Sequence, residues 1–171
     1  MSGDCDHDHE IHGLSGRDLT AELVAAEQRL ARDEQRLTAP RRRVLELLLE
    51  AGQPVKAYDL ISSFGEAGEP AKPPTVYRAL DFLEKQGFVH RIESLNAFIG
   101  CPSPKAPHSG QFLLCTACGT AAEITDPGIQ AALAGAAGRA GFRPSHVTLE
   151  VKGLCRHCQP GAAAERHAHT H

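Results

Sequence analysis

Apolar positions return with a helical period through the first half of the chain and alternate with polar ones in several short runs beyond it. From Asp18 to about Gln35, Leu19, Leu23, Ala26 and Leu30 recur three or four apart with charges between them, which predicts an amphipathic helix. A second helix follows from Thr38, a residue type suited to an N-cap. Pro40 falls in its first turn, Val44, Leu45, Leu48 and Leu49 form an inward stripe, and Gly52 ends it. The stretch KAYDLISSF predicts a short third helix offering Tyr58, Leu60, Ile61 and Phe64 to the core.

The fourth helix, KPPTVYRALDFLEKQG, starts at prolines and closes on a glycine suited to a left-handed cap. Val76, Ala79, Leu80 and Leu83 make its apolar stripe, so Tyr77, Arg78, Asp81 and Lys85 point away from the core. FVHRIE and AFIGC then alternate as two strands around the turn SLN. Three helices and a hairpin, with the hairpin at residues 88–101 as a wing, have the order of a winged helix-turn-helix, whose last helix enters the DNA major groove. An outward Tyr–Arg pair near that helix's start suits base reading, since arginine can donate two hydrogen bonds to one guanine edge.

Past the Pro-rich break CPSPKAPHSG the pattern changes: strands QFLL and AAEI, an Ala-rich helix from about Pro127 to Ala140, and a strand HVTLEVKG. This is a second α+β domain, so the expected class is α+β throughout. The two ends, 1–13 and 160–171, are rich in His or Ala without apolar periodicity and are expected to be disordered, with weak incidental metal affinity.

Composition narrows the function. In 171 residues the chain is 42% hydrophobic and only 5% aromatic, so each core is small and benefits from a staple. The formal charge of −3 hides an asymmetry: residues 1–35 carry 3 basic and 9 acidic groups, residues 36–159 carry 14 and 11. The body outside the arm is mildly basic, as a DNA binder requires. No apolar run approaches the ~20 residues of a membrane span, and the acidic start MSGDCDHDHE is unlike a signal peptide. A cytoplasmic location is therefore expected, and in a reducing compartment the six cysteines point to metal or thiol chemistry.

Four of them form two C-x2-C pairs, Cys115/Cys118 and Cys155/Cys158, separated by 36 residues. Each pair alone could be a redox dithiol or half a zinc site. Together they can close a tetrahedral four-thiolate zinc site, whereas a redox dithiol needs only one pair.

The stretches LTAPRRRVLELL, AYDLI, KPPTVYRALDFLEKQGFVHRIES, FLLCTACG and GLCRHC together resemble the ferric uptake regulator family, and most closely its zinc uptake regulators, over roughly residues 15–159. The resemblance implies a homodimeric, metal-activated repressor: a disordered arm at 1–14, a winged-helix DNA-binding domain at 15–100, a dimerisation and metal-binding α/β domain at 101–159, and a tail at 160–171. It implies structural zinc on Cys115, Cys118, Cys155 and Cys158 and regulatory zinc on His90, Cys101, His108 and Glu123, two Zn2+ per chain. A thiolate among the regulatory donors favours zinc over manganese or magnesium.

Two features depart from the family pattern. A further His-rich site before the first knuckle has only His108 here, leaving His146 without companions, and LTAPR shifts Pro40 by one, so that Arg41 becomes the matching basic residue. The expected function is zinc-dependent repression of zinc uptake genes through double-stranded DNA with a palindromic operator. Tyr77 and Arg78 would read bases, and Thr75, Lys72 and Arg41 would hold phosphates. Its rivals are a relative sensing iron, manganese, nickel or peroxide, a C-x2-C thiol oxidoreductase, and a zinc-stapled DNA binder without sensing.

Overall fold

The computed structural model describes residues 13–65, 69–102, 110–145 and 147–160. They fall into two units, divided between residues 102 and 110, and each has its own core. The histidine-rich ends, apart from Gly13, Leu14 and Pro160, lie outside the described residues, as do His108 and His146.

The first unit holds α1 (Gly16–Arg32), α2 (Ala39–Ala51), α3 (Ala57–Ser62), α4 (Pro73–Lys85), β1 (Val89–Ile92) and β2 (Ala97–Gly100). Its order is that of a winged helix-turn-helix. The stripes read from periodicity are the core: Leu23, Leu30, Val44, Leu48, Val76, Leu80 and Leu83 are each at most 2% exposed. At ~1.5–3 kcal/mol for each fully buried large side chain, this cluster is the unit's main source of stability.

α1 ends before Gln35 because Asp33 leaves the helix and Glu34 turns left-handed at φ 54°. α4 closes as its sequence suggests. Gly87 adopts φ 74°, its N–H reaches Glu84 O, and the Phe88 N–H reaches Leu83 O. That double closure satisfies the last carbonyls and turns the chain into the wing.

Tyr58 corrects one expectation: it is 75% exposed and takes no part in the core. The inward stripe of α3 is Ala57, Leu60 and Ile61, at i, i+3 and i+4, with Phe64 packed on the core just beyond the helix, and Tyr58 lies off it. The wing pairs antiparallel with His90 opposite Ile99 and Val89 opposite Gly100, around a 3-10 turn at Glu93–Leu95 with Asn96 left-handed. Val55 adds a bridge to Phe98, an edge residue that no alternation announced.

In the second unit, β3 (Gln111–Cys115) is the centre of a three-stranded sheet, antiparallel to β4 (Ala121–Glu123) and parallel to β5 (Leu149–Gly153). α5 (Pro127–Arg139) is capped by Asp126, whose carboxylate accepts from the N–H groups of Gly128 and Ile129 at 2.6 and 3.3 Å. Phe112, Leu114 and Ala121 are buried, but no residue of α5 is. Among the described residues no helix is long and apolar enough to cross a membrane.

Candidate metal centre and nucleic-acid interface

The two C-x2-C turns stand at adjacent strand ends. β3 delivers Cys115, a tight turn carries Cys118, and Gly119 at φ 78° lets the chain double back into β4. No atom lies within 4 Å of where a Gly119 side chain would start, so the glycine serves the backbone angle rather than space. The turn is closed by the Gly119 N–H to Cys115 O at 3.0 Å and the Cys115 N–H to Thr120 O at 2.9 Å. Parallel pairing with β5 ends at Cys115 opposite Gly153, which sets Cys155 and Cys158 just beyond. Thr116 locks the two turns together, its N–H and hydroxyl both donating to Gly153 O, at 2.8 and 3.2 Å.

All four sulfurs lie within 4.8 Å of one another, and Cys118 and Cys155 Sγ are 3.8 Å apart. Four ligands ~2.3 Å from a tetrahedral zinc stand ~3.8 Å from each other, so the donor set fits that ion. The cysteines are free thiols. The backbone N–H of Cys155, 3.4 Å from Cys115 Sγ, heads the interactions that bring the Cys115 thiol from 9.0 down to about 6. The Thr120 side chain, 3.2 Å from Cys118 Sγ, lowers the Cys118 thiol as well. Cys158 is pushed up to about 12, first by its hydrogen bond with Cys155 and then by Cys118, since crowded sulfurs without a cation must share protons. A cation placed among the four sulfurs would take the place of those protons.

In the first unit, His90 and Cys101 share one face of the wing. Ile99 lies opposite His90, Cys101 follows two residues later, and the Cys101 N–H bonds to Phe88 O at 2.9 Å. Both are buried, and an imidazole nitrogen and the thiol sulfur come within 4.8 Å. Glu123, half-buried, ends β4 of the second unit, where it pairs with Phe112.

The outward face of α4 carries Tyr77, 54% exposed, and Arg78, with Lys72 at the N-cap and Thr75 in the first turn. Among the described residues no side-chain hydrogen bond or ion pair ties down Lys72, Tyr77 or Arg78. Asp81 and Lys85 pair with each other at 2.8 Å. Arg41 is more constrained: its guanidinium lies 3.3 Å from the Phe82 ring centroid and donates to Arg36 O at 2.7 Å. Arg42 and Arg43 are ion-paired to Glu27 and Glu46. Arg29, which the sequence did not single out, donates to Gln86 O at the end of α4 and stacks 4.3 Å from the Phe88 ring. A lone arginine on the polar side of a helix offers no sequence signal for that role.

Comparison with known proteins follows the same lines. The ferric uptake regulator family model matches residues 32–152. The zinc uptake regulation protein of Escherichia coli strain K12 is 41% identical over 141 residues, 81% of this chain and 82% of that protein. The crystal structure of holo XcZur superposes with a TM-score of 0.75 at 46% identity, covering 81% of this chain and 96% of that one. A zinc uptake regulator complexed with zinc and DNA gives a TM-score of 0.79 at 37% identity, covering 89% and 99%.

Proposed function

We infer the function from one premise: the chain belongs to the ferric uptake regulator family. It is a zinc-responsive, DNA-binding transcriptional repressor of zinc uptake genes, working as a homodimer on a palindromic operator. Twofold symmetry presents two copies of α4 to two half-sites.

In the proposed assignment each chain takes two zinc ions. Cys115, Cys118, Cys155 and Cys158 hold the structural one, which neutralises their mutual repulsion and staples a unit whose helix has no fully buried residue. His90, Cys101, His108 and Glu123 hold the regulatory one, with donors drawn from the wing, the connector and β4. Tyr77 and Arg78 read bases, and Lys72, Thr75 and Arg41 hold phosphates. The uncovered apolar surface of the second sheet at Leu113 and Val151, with Leu154 just past β5, each more than 40% exposed, is the surface the homodimer buries. The role is regulatory rather than catalytic, and its place is the cytoplasm.

The observation that carries zinc sensing is the His90–Cys101 pair on one face of the wing. A thiol beside an imidazole selects zinc over harder ions. Anisotropy titrations of operator-like DNA at buffered free zinc, iron(II) and manganese(II) test it. Zinc is expected to drive binding at the lowest free concentration. An equal or lower midpoint with iron or manganese, or binding indifferent to all three, overturns the reading.

A further inference from the structure

Cys118 is the exposed member of the four-cysteine cluster; Cys115 is buried, and Cys155 and Cys158 are half-buried. An exposed thiolate is where a chelator, an electrophile or a competing proton reaches such a site first. Its sulfur has a side-chain hydrogen-bond partner outside the cluster, the Thr120 hydroxyl at 3.2 Å. A thiolate has no proton to give, so in the metal-binding state the hydroxyl is the donor.

The backbone fixes that contact. Gly119 turns the chain left-handed, Thr120 O accepts the Cys115 N–H at 2.9 Å, and Ala121 begins β4, so Thr120 has little freedom to swing away. A threonine side chain is moreover stiff about its first torsion.

We propose that Thr120 is a positioning residue of the structural zinc site, whose hydroxyl holds the exposed Cys118 thiolate in its ligating place and blunts its reactivity. A donated hydrogen bond draws electron density from the sulfur, which makes it a poorer nucleophile while leaving it a ligand. The inference rests on the four-cysteine zinc assignment made above.

The test compares Thr120→Val, which keeps shape and removes the hydroxyl, with Thr120→Ser, which restores it. In the purified full-length dimer loaded with cobalt(II), Thr120→Val should move the sulfur-to-cobalt charge-transfer band to lower energy, and Thr120→Ser should return it. In the zinc-loaded dimer, N-ethylmaleimide should alkylate Cys118 of Thr120→Val roughly tenfold or more faster than wild type, the scale of one hydrogen bond to a charged group, read by peptide mass spectrometry. An unchanged band and an unchanged alkylation rate in Thr120→Val overturn the role of Thr120. A wild-type cobalt protein lacking thiolate charge-transfer bands overturns the zinc assignment instead. Equal perturbation by Val and Ser, with lowered thermal stability in both, overturns the proposal in favour of packing alone.

Discussion

Replacing Arg78 by alanine separates sequence reading from mere attraction to DNA. Arg78 lies opposite the Val76, Ala79, Leu80 and Leu83 stripe, and among the described residues nothing ties it down. Its truncation therefore removes no folding contact, and stability should change by less than ~0.5 kcal/mol. If the guanidinium donates two bonds to one guanine, the loss on operator DNA is ~1–3 kcal/mol, roughly five- to 150-fold in affinity at ~1.4 kcal/mol per tenfold. Binding to random DNA should barely move. Arg41→Ala should behave oppositely. Removing a phosphate contact weakens all sequences alike and lowers the salt slope by about 0.9. The lost stack on Phe82 also costs ~0.5–1 kcal/mol of stability. Anisotropy on operator and scrambled duplexes at several salt concentrations, with thermal melts of each variant, gives every quantity. Equal losses on both duplexes for Arg78→Ala would remove it from base reading.

Loss of a structural zinc ligand, Cys115→Ser or Cys158→Ser, should lower zinc content and dimer stability together, because three thiolates cannot close the site; a zinc-loaded, heat-stable dimer in either variant would refute the assignment. Zinc loading should also release protons. Below its value of about 12, Cys158 keeps its proton in the metal-free site, so each zinc displaces at least one and affinity should fall at least tenfold for each pH unit lowered. Below about 6 Cys115 takes up a proton too, and the slope should steepen. Calorimetry in two buffers of different ionisation enthalpy measures the release, and a count of zero near neutral pH would contradict the sulfur cluster.

Periodicity was enough to place α1, α2 and α4 and their inward faces, because buried stripes such as Leu80 and Leu83 leave a direct trace in spacing. It misplaced Tyr58, where counting an aromatic as core overrode its position off the stripe. The Val55–Phe98 bridge was invisible, since one bridging residue has no alternation to read. The cysteine spacing showed that two turns could meet, but not why they do. That depends on parallel pairing of β3 with β5, a contact between residues nearly 40 apart that no local pattern encodes. Thr120 escaped for a similar reason: its role lies in a 3.2 Å contact set by the left-handed turn at Gly119, and in sequence it is an ordinary threonine between a C-x2-C turn and the strand AAEI. His90 and Cys101 share a face through the hairpin register, which a one-residue slip would have reversed.

The central claim is that zinc and operator DNA bind cooperatively through a site that includes Cys101. Zinc isotherms measured with and without operator, on the wild type and on Cys101→Ser, test it most directly. If zinc favours the DNA-competent arrangement, DNA must tighten zinc by the factor that zinc tightens DNA, a coupling of ~1–3 kcal/mol. The expected result is that coupling in the wild type and none in Cys101→Ser, which stays folded and dimeric, keeps its four-cysteine zinc, and binds operator poorly at any zinc concentration. A Cys101→Ser protein that still binds operator at the wild-type zinc midpoint would contradict the account.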